Sequence, residues 1–475
     1  MPPGRLIHMA TRFVLIDRDT PLLLPPNLRD WVPADHLVHF ILDALDALDL
    51  RQVKVNTRGT GSEQYPPPML LGLLIYSYAT GTFSSRRIEQ NTYDSVPVRL
   101  LTADTHPDHD TLCTFRRENP ALLTESFVQV LQLAQQLKVL KFGQLTVAAD
   151  GTKVLANASK HNAVSYKRAS ELSAQLELEV QQLLAKAEQA DATPLQDGLT
   201  IPEEITRRQE RKAALAQART EIEARAQARY AVQLAEHKEK MAERAAKKER
   251  GEKVGGHTPQ PPTPQPEPGD QYNFSDPESR IMKAGNGNHF EQSYNAQAVV
   301  EVESRLIVGE RVSQAPNDKQ ELVPTLAVIP AEAGSVTAAL VDSGFFSERA
   351  VRQVERAEPG SPPGPVVYAA VEKTGHHRSV ADLEVKSEPE SLAAQASVKE
   401  VMRHRLKTTA GKKLYKLRQQ TVEPVFGIIK AVLGFRQFRL RGQAKVSLEW
   451  TLVCLAYNLK RLHRLGAGLK LVATN

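Results

Sequence analysis

Cysteine is nearly absent from this 475-residue chain: there are two, Cys113 and Cys454, far apart and in apolar or helical-looking surroundings. That excludes a disulfide framework and a cysteine metal cluster, and a reducing compartment fits best. Long hydrophobic runs are absent too. The first apolar run, residues 13–16, stops at Asp17 and Arg18, and no stretch reaches the roughly 18 apolar residues of a membrane span. The expectation is an unexported, cytoplasmic protein with no membrane partner. Acids, finally, are scarce at one end. From residue 400 onward sixteen Lys and Arg face three acids, a net of +13, which leaves −7 of the formal +6 for the rest. Such a basic segment points to a polyanion-binding face, most often nucleic acid, although a solvated basic surface gives the same count.

What is present is enough for two or three domains with real cores, since 41% of the residues are hydrophobic. An irregular arm with Pro25 and Pro26 comes first. Pro33 then opens a helix carrying Leu37, Val38, Phe40, Ile41, Leu45 and Leu48 at helical spacing. A basic polar loop, residues 51–65, leads to MLLGLLIYSYATG, a buried helix ending near Gly81. Ser84 or Ser85 caps the next helix, and Asp108 or Asp110 caps TLCTFRREN, which places Thr111, Thr114, Arg116 and Arg117 on or near an exposed side. These elements read as an all-helical unit with room for a helix-turn-helix. DNA contact by Arg116 and Arg117, or an ordinary bundle with solvated arginines, are equally compatible readings. His106 and His109 lie among Asp104, Asp108 and Asp110, but helix capping explains the acids better than a metal site does.

The stretch LTVAADGTKVLANAS, residues 145–159, reads as a buried strand ending in Asp150 and turning at Gly151. Residues 336–341 repeat the plan and end in Asp342, with Gly344 two residues later. Adjacent parallel strands ending this way would set two carboxylates side by side at a sheet edge, where open α/β sheets bind what they act on. Between them, residues 165–251 are rich in Ala, Glu, Gln, Lys and Arg and predict a projecting pair of long helices, with Leu172, Leu176, Leu183 and Leu184 as one seam and the later part polar nearly all round. HTPQPPTPQPEPG, residues 257–269, is an extended linker. Residues 294–300 and 306–312 predict an antiparallel hairpin, Asp318 with Glu321 a capping box, and residues 366–371 a further strand. Residues 379–399 carry no strong signal. The apolar helix at 446–459 either packs on its own chain or serves assembly.

The third acid comes from KKLYKLRQQTVEPVFGIIKAVLGFRQFRLRG. On one helix Tyr415, Arg418, Glu423 and Lys430 fall within an arc of roughly 140°, and Pro424 predicts a kink or restart at Glu423. At these residues the chain resembles a DDE transposase of a bacterial insertion sequence. The matching pieces are YPPPMLLGLLIYSYATGTFSSRRIE, PDHDTLCTFRREN, AADGTKVLANAS, DPESRIMKAGNGNHFEQSYNAQAVV, ALVDSGFFSE and residues 415–442. Four residues separate Arg418 from Glu423, one more than in some relatives.

The resemblance implies an α/β fold: an RNase-H-like mixed sheet core (residues 141–164 and 270–475), an all-helical, DNA-binding N-terminal domain (1–140) and a helical insertion with its Pro-rich linker (165–269) after the first strand. It implies Asp150, Asp342 and Glu423 as catalytic acids holding two Mg2+ or Mn2+ ions, since hard carboxylate oxygens suit these cations. Tyr415, Arg418, Lys430, Arg436, Arg439 and Arg441 would contact DNA, with Lys153 and Asn157 either positioning a phosphate or serving as simple turn residues. The implied partners are element ends, target DNA and further copies of the chain. A scaffold that kept DNA binding without catalysis, and a nuclease that cuts without joining, are the alternatives.

Overall fold

The sheet is organised around β1 (Leu145–Leu155). The computed structural model describes residues 27–54, 64–141, 143–192, 201–249, 251, 257–283, 289–355, 364–371, 388–392 and 396–466. The arm with Pro25 and Pro26, most of the 51–65 loop and most of residues 379–399 lie outside the described residues. On one side β1 pairs antiparallel with β5 (Phe290–Glu301), over residues 147–155. On the other it pairs parallel with β7 (Val336–Val341), but only over residues 145–148. β7 pairs parallel with β8 (Val366–Ala369), and β4 (Arg280–Lys283) and β6 (Ile307–Ser313) share the outer edge of β5. This mixed sheet agrees with the RNase-H-like expectation, and β5–β6 is the expected hairpin.

One local expectation fails in an informative way. The sequence pattern stops the first strand at Ala149, yet β1 runs through Asp150 and Gly151 to Leu155, because β5 offers backbone partners along that whole length. Gly151 is therefore a strand residue, and its lack of a side chain serves close approach. A Cβ there would lie 2.5 Å from Asp318 Oδ1 and 2.7 Å from Asn295 Oδ1, and nearer still to Gln297 Nε2. The capping box expected at Asp318 and Glu321 is not formed. Asp318 instead accepts from Asn295 Nδ2 (2.7 Å) and Gln297 Nε2 (2.6 Å), and Glu321 pairs with Arg311 and the Ser313 hydroxyl.

Ahead of the sheet come α1 (Leu37–Asp46), α2 (Pro67–Ala79), α3 (Ser85–Asp94), α4 (Val96–Leu101), α5 (His109–Glu118) and α6 (Pro120–Gln136). α2 starts on proline, is buried from Leu70 to Ala79, and ends at Gly81, whose φ of +87° only glycine adopts easily. The Asp108 side chain caps α5 by accepting from Thr111 N. His109 bonds Glu89, and His106 stacks on Tyr93 with centroids 3.9 Å apart.

The insertion leaves by β2 (Ala163–Ser165), runs through α7 (Tyr166–Ala192) and α8 (Ile201–Glu249), and returns by β3 (Gln271–Asn273), which pairs with β2. It has its own small core of Val164, Ala169, Leu176, Leu215, Ala218, Ile222 and Tyr272. The second helix is thus not polar all round: Leu215, Ala218 and Ile222 form a stripe at helical spacing that its alanines disguise. Nor does the hairpin simply project. The Pro-rich return lies along α8, with Gln227 and His237 donating to carbonyls of Pro264 and Pro259, and Glu236 and Glu239 reach Gln320 and Arg349.

α9 (Leu322–Leu326) precedes β7, and after β7 come α10 (Glu348–Glu355), α11 (Val398–Lys407), α12 (Thr409–Gly427) and α13 (Gln443–Arg464). α12 passes straight through Pro424 and loosens only beyond it, in a π-helical turn at Ile428–Val432 where Leu433 N bonds Ile428 O. The irregularity expected at Glu423 falls there instead. α13 is buried from Glu449 to Leu459 and packs on its own chain, between the N-terminal helices and the sheet. Its Trp450 is fully buried among Phe426 and Phe435 and donates to Gln297 O at 2.9 Å. Among the described residues no helix is long and apolar enough to cross a membrane. Trp450→Ala is expected to cost about 3–5 kcal/mol, as truncation of a buried aromatic does, read as a lower urea midpoint; an unchanged midpoint would refute this account of the core.

Candidate active site

β1 and β7 lie side by side and parallel, so their carboxylates meet where β7 stops and β1 continues. Asp150 is two residues past the last parallel pair, and Asp342 follows β7 directly. Each is fixed by a backbone amide: Asp150 Oδ1 accepts from Gly151 N (2.8 Å) and Asp342 Oδ1 from Gly344 N (2.7 Å). Asp150 is mostly buried, and burial, followed by the neighbouring charge of Asp342, pushes its carboxyl up to about 7.

α12 brings the remaining groups. Its Arg418, 12% exposed, lies with Nη1 3.5 Å from Asp150 Oδ2 and Nη2 3.3 Å from Glu423 Oε1, joining two acids 273 positions apart in the chain through one guanidinium. Glu423 itself is 53% exposed. Tyr415 donates to Val341 O at 3.1 Å and accepts from Ala370 N at 3.3 Å, pinning α12 to β7 and to the end of β8 beside Asp342. Lys430 donates to Lys153 O at 2.7 Å, and burial holds its ammonium below the usual lysine range. The face shared by these four residues therefore looks onto the sheet edge, as the helical arc predicts.

Several side chains expected on DNA are turned inward. Arg116 is 7% exposed and donates to the Tyr78 hydroxyl, because the neighbouring α13 supplies a buried acid, Glu449, to balance it. Tyr415, Arg418 and Lys430 are engaged in the contacts just given. Arg117, Arg436, Arg439 and Arg441 are exposed. The last three sit on a loop stitched to the end of β1, where Leu155 N donates to Arg436 O and Phe438 N to Leu155 O. Asn157 joins this stitch: its amide donates to Arg439 O, and Arg441 Nε donates to Asn157 O. Lys153 is half-buried, and its buried Nζ has no hydrogen-bonding partner among the described residues.

Two residues escaped the reading of the sequence. Asp318 adds a fourth carboxylate near Asp150, reached over the bare Cα of Gly151. Glu449 was signalled by a lone acid inside an apolar helical run, VSLEWTLVCLAYN.

A mixed sheet of this order, carrying aspartates on neighbouring parallel strands and a glutamate on a later helix, defines the RNase-H-like class. Residues 26–118 match the Transposase domain (DUF772), and residues 380–463 match the Transposase DDE domain. These two segments are thus similar to transposase domains, the second to the catalytic domain of DDE transposases. The second match contains Tyr415, Arg418, Glu423 and Lys430, whereas Asp150 and Asp342 lie between the two. No curated protein and no solved structure matches the chain.

The donor set suits a hard divalent cation: every candidate ligand is a carboxylate oxygen, and the raised Asp150 is a carboxylate short of positive charge. Among the described residues no three acidic, His or Cys side chains are gathered into a closed cage, and Arg418 lies between Asp150 and Glu423. A carboxyl held up to about 7 binds its proton more tightly folded than unfolded, so it contributes stability below about pH 4 that is lost as pH rises towards 7. Asp150→Asn, which cannot ionise, is expected to gain thermal stability relative to the parent across that window in EDTA. A constant difference between the two melting temperatures from pH 4 to 8 would contradict the raised carboxyl.

Proposed function

We propose that the chain is the transposase of an insertion sequence, cutting DNA at the element's ends and joining the freed ends to target DNA. In the first step water attacks phosphorus and the bond to the 3′ oxygen breaks, leaving a 3′ hydroxyl and a 5′ phosphate. In the second, that hydroxyl attacks a target phosphodiester and displaces the target's own 3′ oxygen. Both are in-line displacements, so one site serves both.

Asp150, Asp342 and Glu423 would hold divalent cations, magnesium or manganese, whose Lewis acidity activates the attacking oxygen and stabilises the leaving one. The chain's own contribution is placement. β1 and β7 fix two carboxylates through Gly151 N and Gly344 N, while Tyr415 sets the distance of α12. Arg418 shares its charge between Asp150 and Glu423, which restrains three crowded acids that would otherwise repel. The exposed Arg436, Arg439 and Arg441 would hold the DNA backbone beside the reacting phosphate. Joining two ends requires at least two copies of the chain on DNA.

The observation that carries this reading is the meeting of Asp150 and Asp342 on adjacent parallel strands, with Arg418 tying in Glu423. Asp342→Asn is expected to lower both end cleavage and joining of a pre-cut end by at least about a hundredfold, with end binding retained. A parent enzyme that cleaves but never joins a pre-cut end would reduce the function to that of a nuclease, and an Asp342→Asn variant with full activity would remove the site altogether.

A further inference from the structure

We propose that Glu449 is a positioning residue for DNA binding: buried where the N-terminal helices meet the basic loop, it holds Arg436, Arg439 and Arg441 in register with those helices. The inference rests on the reading of that loop as a DNA-backbone contact.

Glu449 is fully buried on α13. One carboxylate oxygen accepts from two successive loop amides, Arg439 N at 2.9 Å and Leu440 N at 3.0 Å. The other accepts from the Tyr78 hydroxyl of α2 at 3.2 Å, and that hydroxyl accepts from Arg116 Nη1 of α5 at 3.2 Å. A single side chain thus joins the loop's backbone to two N-terminal helices. The surroundings reinforce the joint. Phe83 packs edge-on against Phe435 with centroids 5.1 Å apart, and a Cβ on Gly81 would lie 2.8 Å from the Leu433 carbonyl.

An apolar residue would fill this position without the cost of burying an acid and an arginine, and such pairs stabilise little when set against a well-packed hydrophobic alternative. What the carboxylate adds is direction. It fixes two consecutive amides, and with them the outward aim of Arg439 and its neighbours, whereas an apolar side chain would tolerate several loop positions. The two family matches, 26–118 and 380–463, meet at this joint, so the helices and the loop would present one preset DNA surface rather than two tethered ones.

The test is salt-dependent binding of the full chain to a DNA duplex bearing the element's end. Arg116→Met with Glu449→Met removes both charges, so neither is left buried alone. The double variant is expected to reduce the slope of log affinity against log salt by about 2 to 3, the share of three phosphate contacts, while Mg2+-induced thermal stabilisation stays unchanged. Should it fail to fold, Tyr78→Phe is measured in its place, with a several-fold loss of affinity and a shallower slope expected. A folded variant with the parental slope overturns the inference, since a merely structural role lowers the melting temperature without changing the number of phosphates contacted. Replacing Arg436, Arg439 and Arg441 together by Gln separates the two levels: if that leaves the slope unchanged, the DNA reading of the loop fails and the positioning role falls with it.

Discussion

The structure depends on one mismatch of length. β1 is paired on both sides at its start and on one side only from residue 149 to residue 154, because β7 stops where β5 continues. A strand paired on both sides would bury its side chains under neighbours, and an unpaired one would fray. This strand holds Asp150 rigidly while leaving space beside it, and the end of β7 places Asp342 in that space. The bare Cα of Gly151 on this strand leaves room for Asp318, and the last residues of β1 are stitched to the basic loop. Asp150 and the exposed arginines of that loop are thus set by a single backbone element.

Electrostatics follow from that placement. Burial, followed by the neighbouring charge of Asp342, pushes the Asp150 carboxyl up to about 7. Arg418 softens the conflict from α12, and Tyr415 keeps α12 at the right distance through its two bonds to β7 and the end of β8. Tyr415 and Lys430 matter as fixtures of the backbone around the acids, Tyr415 beside Asp342 and Lys430 on β1 at Lys153.

Much of this was legible in the chain. Short apolar runs ending in Asp150 and Asp342 marked neighbouring strands, the hairpin of β5 and β6 followed from alternation, and the helical arc from Tyr415 to Lys430 located the face turned to the acids. What could not be read shares one cause, a partner distant in sequence. Arg116 looks like a solvated arginine until Glu449 is folded against it, and Asp318 looks like a cap until Asn295 and Gln297 claim it. The stripe of Leu215, Ala218 and Ile222 is hidden because alanine reads as neutral to burial. Pro424 sits inside α12 without the break at Glu423 that local rules predict, and a π-helical turn follows only at Ile428–Val432.

The central claim, that Asp150, Asp342 and Glu423 hold a common cation site, is tested most directly by loading the full chain, bound to an end duplex, with Fe2+ in place of Mg2+ and adding ascorbate. Radicals formed at the bound iron cut the polypeptide nearby, and sequencing the fragments locates the site. Cuts close to residues 150, 342 and 423 together, suppressed by excess Mg2+, are the predicted result; cuts elsewhere, or beside only one of the three acids, would contradict it.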